Sequence, residues 1–222
     1  MRGLYWFRSD LRIMDNLALA QAMRSSERLI AVFILSPTTW KAHAVAPCKI
    51  QFLLENLSTL SAALWKQGIP LLIRHGPSFS DAQKVLNTLC NQHAIDAIYF
   101  NHEYPLDERR RDETVINKLG DRLLVSTYDQ QLVLAPGKVL SKQNTPFKIF
   151  TAFKNAWLNE AHKQRAWHTC TDIEKPFKSD LNPDLIPKKI DGFTDKKIAS
   201  HWAPGENAAQ KKLNLFCQKE HT

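Results

Sequence analysis

A chain of 222 residues with 44% hydrophobic and 23% charged side chains has the size and balance of one ordinary globular domain with room for an ordered extension. No apolar run approaches the roughly 18 residues of a membrane span, and Met1–Phe7 leads into Arg8 and Asp10 without a cleavage site, so neither a membrane segment nor a signal peptide is expected. The net charge of +8 permits a nucleic-acid partner but does not establish one, because residues 1–162 mix 19 basic with 14 acidic side chains and residues 163–222 mix 11 with 8.

In chain order, Leu4–Phe7 reads as a first strand, followed by Arg8, Ser9 and Asp10. Asp15 is the expected N-cap of a helix over Asn16–Met23, and Leu29–Leu35 is a second strand ending at Ser36 and Pro37. Ile50–Trp65 carries Leu53, Leu57, Leu60 and Leu64 at helical spacing, with Gly68 as its stop. Pro70–Arg74 is a third strand, and Ser80 should cap a helix over Asp81–Cys90. Ala97–Phe100 is a fourth strand, with Asn101, His102 and Glu103 after it. Leu106–Leu119, stopped by Gly120, is another helix, and Arg122–Val125 a fifth strand. The strands are short and nearly continuous in hydrophobicity, as strands covered on both faces are. Their alternation with helices predicts an α/β fold: a doubly wound, Rossmann-like parallel sheet of about five strands.

Beyond Gln130 the period weakens. Val133–Leu140 contains the turn pair Pro136-Gly137, and Ile149–Leu158 and Ala208–Cys217 read as helices. Residues 163–203 contain Pro176, Pro183, Pro187 and Gly192, and look like a long connector draped over a partner domain. The expected organisation is an α/β domain over 1–130, a closing segment over 131–162, and a connector with the start of a further helical region over 163–222.

A doubly wound sheet binds ligands outside the carboxyl ends of its strands, near the reversal of strand order. That rim holds Arg8, Ser9 and Asp10, then Ser36 and Pro37, then Asn101, His102 and Glu103. No G-x-G-x-x-G, phosphate-binding loop, H-E-x-x-H or G-x-S-x-G occurs, and the eight histidines are scattered, so no catalytic set and no metal site can be read. Several features have plain readings. Arg109-Arg110-Arg111 is expected as helix-surface charge, and Arg8, Asp10 and Arg12 as an ion-pair network securing the first loop. Trp6, Trp65, Trp157 and Trp202 read as core or interface anchors. Cys48, Cys90, Cys170 and Cys217 read as free, buried thiols of a cytoplasmic protein.

The runs WFRSDLRIMDN (Trp6–Asn16), FNHEYPLDERRRD (Phe100–Asp112) and FKIFTAFKNAW (Phe147–Trp157) resemble the N-terminal α/β domain of DNA photolyases and cryptochromes. The resemblance covers about residues 2–160 and returns at 201–217, through Trp202-Ala203-Pro204-Gly205-Glu206. It implies the antenna-chromophore domain of a deoxyribodipyrimidine photolyase, which repairs cyclobutane pyrimidine dimers in UV-damaged DNA with light. In that family FAD and the dimer cleft belong to a C-terminal helical domain, so FAD is expected only in full-length relatives. The 222 residues alone are expected to be inactive, to bind damaged DNA weakly or not at all, and to self-associate through Phe150, Phe153, Trp157 and Trp202. No catalytic residue is carried over. A cryptochrome photoreceptor domain, or a stand-alone folate- or nucleotide-binding module, remain alternatives.

For the antenna, the resemblance implies methenyltetrahydrofolate, bound through Asp107, Glu108 and His43. Relatives more often have Asn-Glu where Asp107-Glu108 stand, and an ionised carboxylate accepts hydrogen bonds without donating any. A first-turn acidic pair is also favoured by the helix dipole whatever the ligand. Cys48 stands where relatives usually have an arginine that helps hold a deazaflavin, which weakens the deazaflavin option. Ala152 in place of proline and Phe147 in place of tyrosine read as packing changes.

Overall fold

The computed structural model describes residues 1–163, 176–194 and 202–219. Five parallel strands, β1 (Arg2–Phe7), β2 (Arg28–Leu35), β3 (Leu71–His75), β4 (Ala97–Asn101) and β5 (Leu124–Tyr128), form one sheet in the order β3-β2-β1-β4-β5. The order reverses between β1 and β4, where Leu4 pairs with Ile98 on one side and Ile30 on the other. Helices α1 (Leu17–Ser25), α2 (Pro37–Ala42), α3 (Pro47–Trp65), α4 (Ala82–Gln92) and α5 (Leu106–Leu119) connect them.

The two-residue period of the strands makes two cores. Tyr5, Phe7, Ala31, Phe33 and Tyr99 point to one face and pack on α1 and α3, through Leu19, Leu54, Leu57 and Leu64. Leu4, Trp6, Val32, Ile98 and Phe100 point to the other and meet Leu86 and Leu89 of α4 and Val115 and Leu119 of α5. The two edge strands depart from the expectation of doubly covered strands: β3 loses cover toward its exposed His75, and β5 departs furthest. Leu124 of β5 is 54% exposed, and the strand begins two residues later than the apolar pattern suggests.

Cap positions also moved. Asn16, not Asp15, caps α1: its Oδ1 accepts from the Leu19 N–H at 3.2 Å, while Asp15 takes a left-handed φ of 49°. Before α4 a 3-10 turn (Phe79–Asp81) intervenes, so the cap is Ser78, reciprocally bonded to Asp81, rather than Ser80. Helix α2 was not anticipated, being six residues long, although Pro37 at its first position is a recognised start signal.

Helices α6 (Phe150–Lys163) and α7 (Glu206–Lys219) follow the sheet. Between them, residues 176–194 lie against this chain's own core rather than extending away from it. The Phe177 N–H donates to the Gln67 carbonyl, and at Gly68 a Cβ would collide with the returning Phe177 backbone. Asp184 accepts from the Ile73 N–H and from Arg74, and Ile190 is 7% exposed in the first core. Apolar residues every few positions (Phe177, Leu181, Ile186, Ile190, Phe193) supply the attachment that irregular spacing concealed. Cys90 is buried, which pushes its thiol up to about 11, but Cys48 is half-buried and Cys217 exposed, contrary to uniformly buried thiols; Cys170 lies outside the described residues.

Candidate functional site

The site grows from the carboxyl ends of β1, β2 and β4. Trp6 and Phe100, stacked edge to face at 5.3 Å, end the apolar floor. On it rest two guanidiniums: Arg8 lies 4.6 Å from both the Trp6 and Phe100 rings, and Arg111 4.9 Å from Trp6 and 4.8 Å from Phe79. Two carboxylates balance them. Asp112 accepts from Arg8 Nη1 at 3.1 Å and from Arg111 Nη2 at 2.8 Å, and Glu103 accepts from Arg111 Nη2 at 2.7 Å and from the Ser9 N–H and hydroxyl. All four charged groups are buried. Burial pushes the Glu103 carboxyl up, but Arg8, Arg111 and the Ser9 hydroxyl outweigh it and hold it below the usual carboxylate range.

This arrangement corrects two expectations. Arg111 is no surface charge: Arg111 and Asp112 share the buried face of α5 with Val115 and Leu119, at helical spacings that the arginine run masks. Arg8, Asp10 and Arg12 do not pair with one another. Arg8 pairs with Asp112; Asp10 accepts from the Tyr5 hydroxyl at 2.6 Å and from Asn101 Nδ2 at 2.8 Å; Arg12 Nε donates to the Asp15 carbonyl. Burial and Asp10 together push the Tyr5 hydroxyl far above its ordinary value, so it stays a donor.

Above this floor opens a cleft of about 410 Å³, within the range of small-molecule sites. Arg8 and Ser9 line it from the β1–α1 loop, Ser36 and Trp40 from the start of α2, and Lys49, Ile50 and Leu53 from α3. Phe79 reaches it because the loop before α4 is tied to α2, the Thr38 N–H donating to the Pro77 carbonyl and the Phe79 N–H to Thr39 Oγ1.

The three sequence-derived site residues gather at one mouth of this cleft. His43, the C-cap of α2, sits edge-on to Phe79 at 6.0 Å, and its Nε2 is 3.2 Å from an Asp107 carboxylate oxygen. Asp107 also faces Arg110 at 3.8 Å and lines an adjoining groove rather than the cleft itself. Glu108, one residue on and so turned about 100° around α5, lines the cleft and makes no hydrogen bond or ion pair among the described residues. Cys48 does not line the cleft, whereas its neighbour Lys49 does. Lys49, Trp40, Phe79 and Arg111 were not anticipated; the helical phase of α5 was the available signal for Arg111, and none marked the others. Among the described residues no cluster of metal-ligating side chains exists, and no helix is long and apolar enough to cross a membrane.

Comparison with known proteins bears on this geometry. Residues 3–175 match the family described as DNA photolyase. The chain is 35% identical over 216 residues to the deoxyribodipyrimidine photo-lyase of Salmonella typhimurium, covering 96% of this chain and 45% of that protein. A class III photolyase from Agrobacterium tumefaciens superposes with a TM-score of 0.78 at 24% identity, over 97% of this chain and 44% of that one. A Synechocystis cryptochrome superposes at 0.75 and 21% identity, over 96% and 46%. The chain thus spans somewhat less than half the length of the proteins it matches.

Proposed function

The chain belongs to the DNA photolyase family, and from that premise we propose that it is the antenna-chromophore-binding part of a deoxyribodipyrimidine photolyase, its cleft holding a pterin of the methenyltetrahydrofolate type. The family uses FAD and an antenna chromophore, and the matched region is its N-terminal part. In this reading the light-driven repair of pyrimidine dimers, with UV-damaged DNA as partner and FAD as its cofactor, belongs to the whole protein, and the compartment is the cytoplasm.

The observation that carries the proposal is Glu108: a carboxylate with no hydrogen-bond or ion-pair partner among the described residues, on the wall of an aromatic-lined cleft at the carboxyl ends of β1 and β2. A pterin presents an amino group and ring N–H donors along one edge, and an ionised carboxylate accepts two of them side by side. His43 at the mouth would pack against the ring, and Asp107, held by His43 and Arg110, would keep that imidazole in place. Phe79 and Trp40 exclude water from the bound ring.

Titration with 5,10-methenyltetrahydrofolate tests this. The pterin absorbance should shift to the red on binding, and Glu108→Ala should weaken binding by about tenfold or more, the worth of charge-assisted hydrogen bonds. No spectral shift up to about 1 mM, where binding energy falls to about 4 kcal/mol, would refute it. Lys49 supports a second reading, because it offers the cleft a cation beside Cys48 for the anionic tail of a deazaflavin. Uptake of a deazaflavin in preference to the pterin, abolished by Lys49→Ala, would favour that ligand.

A further inference from the structure

The β1–α1 loop carries Arg8 and Ser9 into the cleft, yet it runs from residue 8 to residue 16 without regular structure. On its inner side it is well braced. Asp10 accepts from the Arg8 N–H at 3.1 Å and from Tyr5, and Asn16 Nδ2 donates to the Arg12 carbonyl at 3.0 Å. Its outer side is held from far along the chain. Glu206, the first residue of α7, accepts from two successive backbone N–H groups, Ile13 to Oε2 at 2.9 Å and Met14 to Oε1 at 2.8 Å. Consecutive amides that converge on one carboxylate form an anion-binding nest.

The residue before it anchors the other wall. The Gly205 N–H donates to Asn56 Oδ1 at 2.8 Å, and Asn56 is itself fixed by donating to the Phe52 carbonyl at 2.7 Å. Gly205 has a φ of 96°, and a Cβ on it would lie 3.0 Å from Thr59 Oγ1, so only glycine seats this turn against α3 without strain. Helix α3 supplies Lys49, Ile50 and Leu53 to the cleft. The Gly205-Glu206 step therefore joins the two elements that flank the cleft, the first βα loop and α3, while itself lining neither the cleft nor the groove beside it.

We infer that Glu206 is a positioning residue for the ligand cleft, a bidentate clasp that sets where the β1–α1 loop stands relative to α3. The clasp follows from geometry alone; its effect on a chromophore rests on the reading given above. A carboxylate is needed because two amides must be satisfied at once, and its charge also favours the amino end of α7.

Glu206→Ala, Glu206→Gln and Glu206→Asp are compared with wild type in the 222-residue chain, with Glu160→Ala as a surface-charge control. Backbone amide exchange at Ile13 and Met14 should accelerate about tenfold or more in Glu206→Ala, as local opening no longer has charge-assisted bonds to break. Amide resonances of Arg8 and Ser9 should shift, and folate affinity should fall severalfold. Glu206→Gln, with one carbonyl acceptor, should be intermediate, and Glu206→Asp should restore much of the protection. Unchanged exchange at Ile13 and Met14, or unmoved Arg8 and Ser9 resonances in a folded Glu206→Ala or Glu206→Gln protein, would overturn the inference. Unchanged folate affinity alongside loosened amides would overturn the positioning role while leaving the folate reading intact. If wild type takes up no folate but the amides and the Arg8 and Ser9 resonances respond, the clasp stands and the folate reading falls.

Discussion

Replacing Asp112 with alanine should cost the protein a large part of its stability. Asp112 is 3% exposed and accepts from Arg8 Nη1 and from Arg111 Nε and Nη2 at 3.1, 3.0 and 2.8 Å. Without it, two guanidiniums that cannot deprotonate would face the single carboxylate of Glu103 against the rings of Trp6, Phe79 and Phe100. Arg8 would suffer most, because its Nε and Nη2 already have no hydrogen-bond partner among the described residues and Nη1 would join them. Breaking a buried pair from one side costs about 3–5 kcal/mol, against a total stability of about 5–15 kcal/mol for a domain. For a chain of this size that lowers the melting temperature by about 6–20 °C. Urea denaturation followed by tryptophan fluorescence measures the loss, with an unchanged m-value showing that the same two states are compared. Asp112→Asn, which keeps one acceptor oxygen, should lose less, about 1.5–3 kcal/mol. Adding Arg8→Met to Asp112→Ala should recover stability, since the methionine preserves contact with Trp6 and Phe100 while removing the stranded charge. A loss below about 1 kcal/mol, the worth of an exposed ion pair, would show that the four charges are not the buried unit described.

Glu103 is held below its unfolded value of about 4.3, so its contribution is complete above that pH and disappears as pH falls through its folded value. Wild type should therefore exceed Glu103→Gln in urea midpoint at neutral pH, and the gap should narrow below about pH 4.3; a gap that stays constant into acid would contradict the assignment. On α6, Phe150 and Phe153 are 74% and 37% exposed on one helical face, with Trp202 56% exposed and Trp157 half-buried. The isolated chain should self-associate through such surface, and Phe150→Glu with Phe153→Glu should return it to a monomer by light scattering. A wild-type monomer at high concentration would end that expectation.

Most of the fold could be read along the chain because strands buried on both faces leave short apolar runs, and their brevity and β-branched and aromatic content separate them from buried helix segments. Leu106–Leu119 was bounded to the residue, while caps slipped: the Ser78 capping box lies ahead of a 3-10 turn that periodicity does not resolve. The site was legible to a lesser degree. Asp107, Glu108 and His43 came from family resemblance, and Arg8, Ser36 and Glu103 from their places after strands. Arg111 and Asp112 were hidden in a run of charge that composition assigns to the surface, though their spacing to Val115 and Leu119 held the correction.

Sequence by itself determined the parallel α/β class, the number of strands and the family, because local hydrophobic period and collinear motifs are written in neighbouring residues. It also located the rim at the carboxyl ends, since strand ends are local events. Tertiary structure alone decided which charges pair across that rim, and that Glu206 reaches back 193 residues to the Ile13 amide. Ion pairs and backbone clasps of that separation depend on the mutual placement of elements. A partner brought into contact by folding leaves no periodic trace in the order of residues.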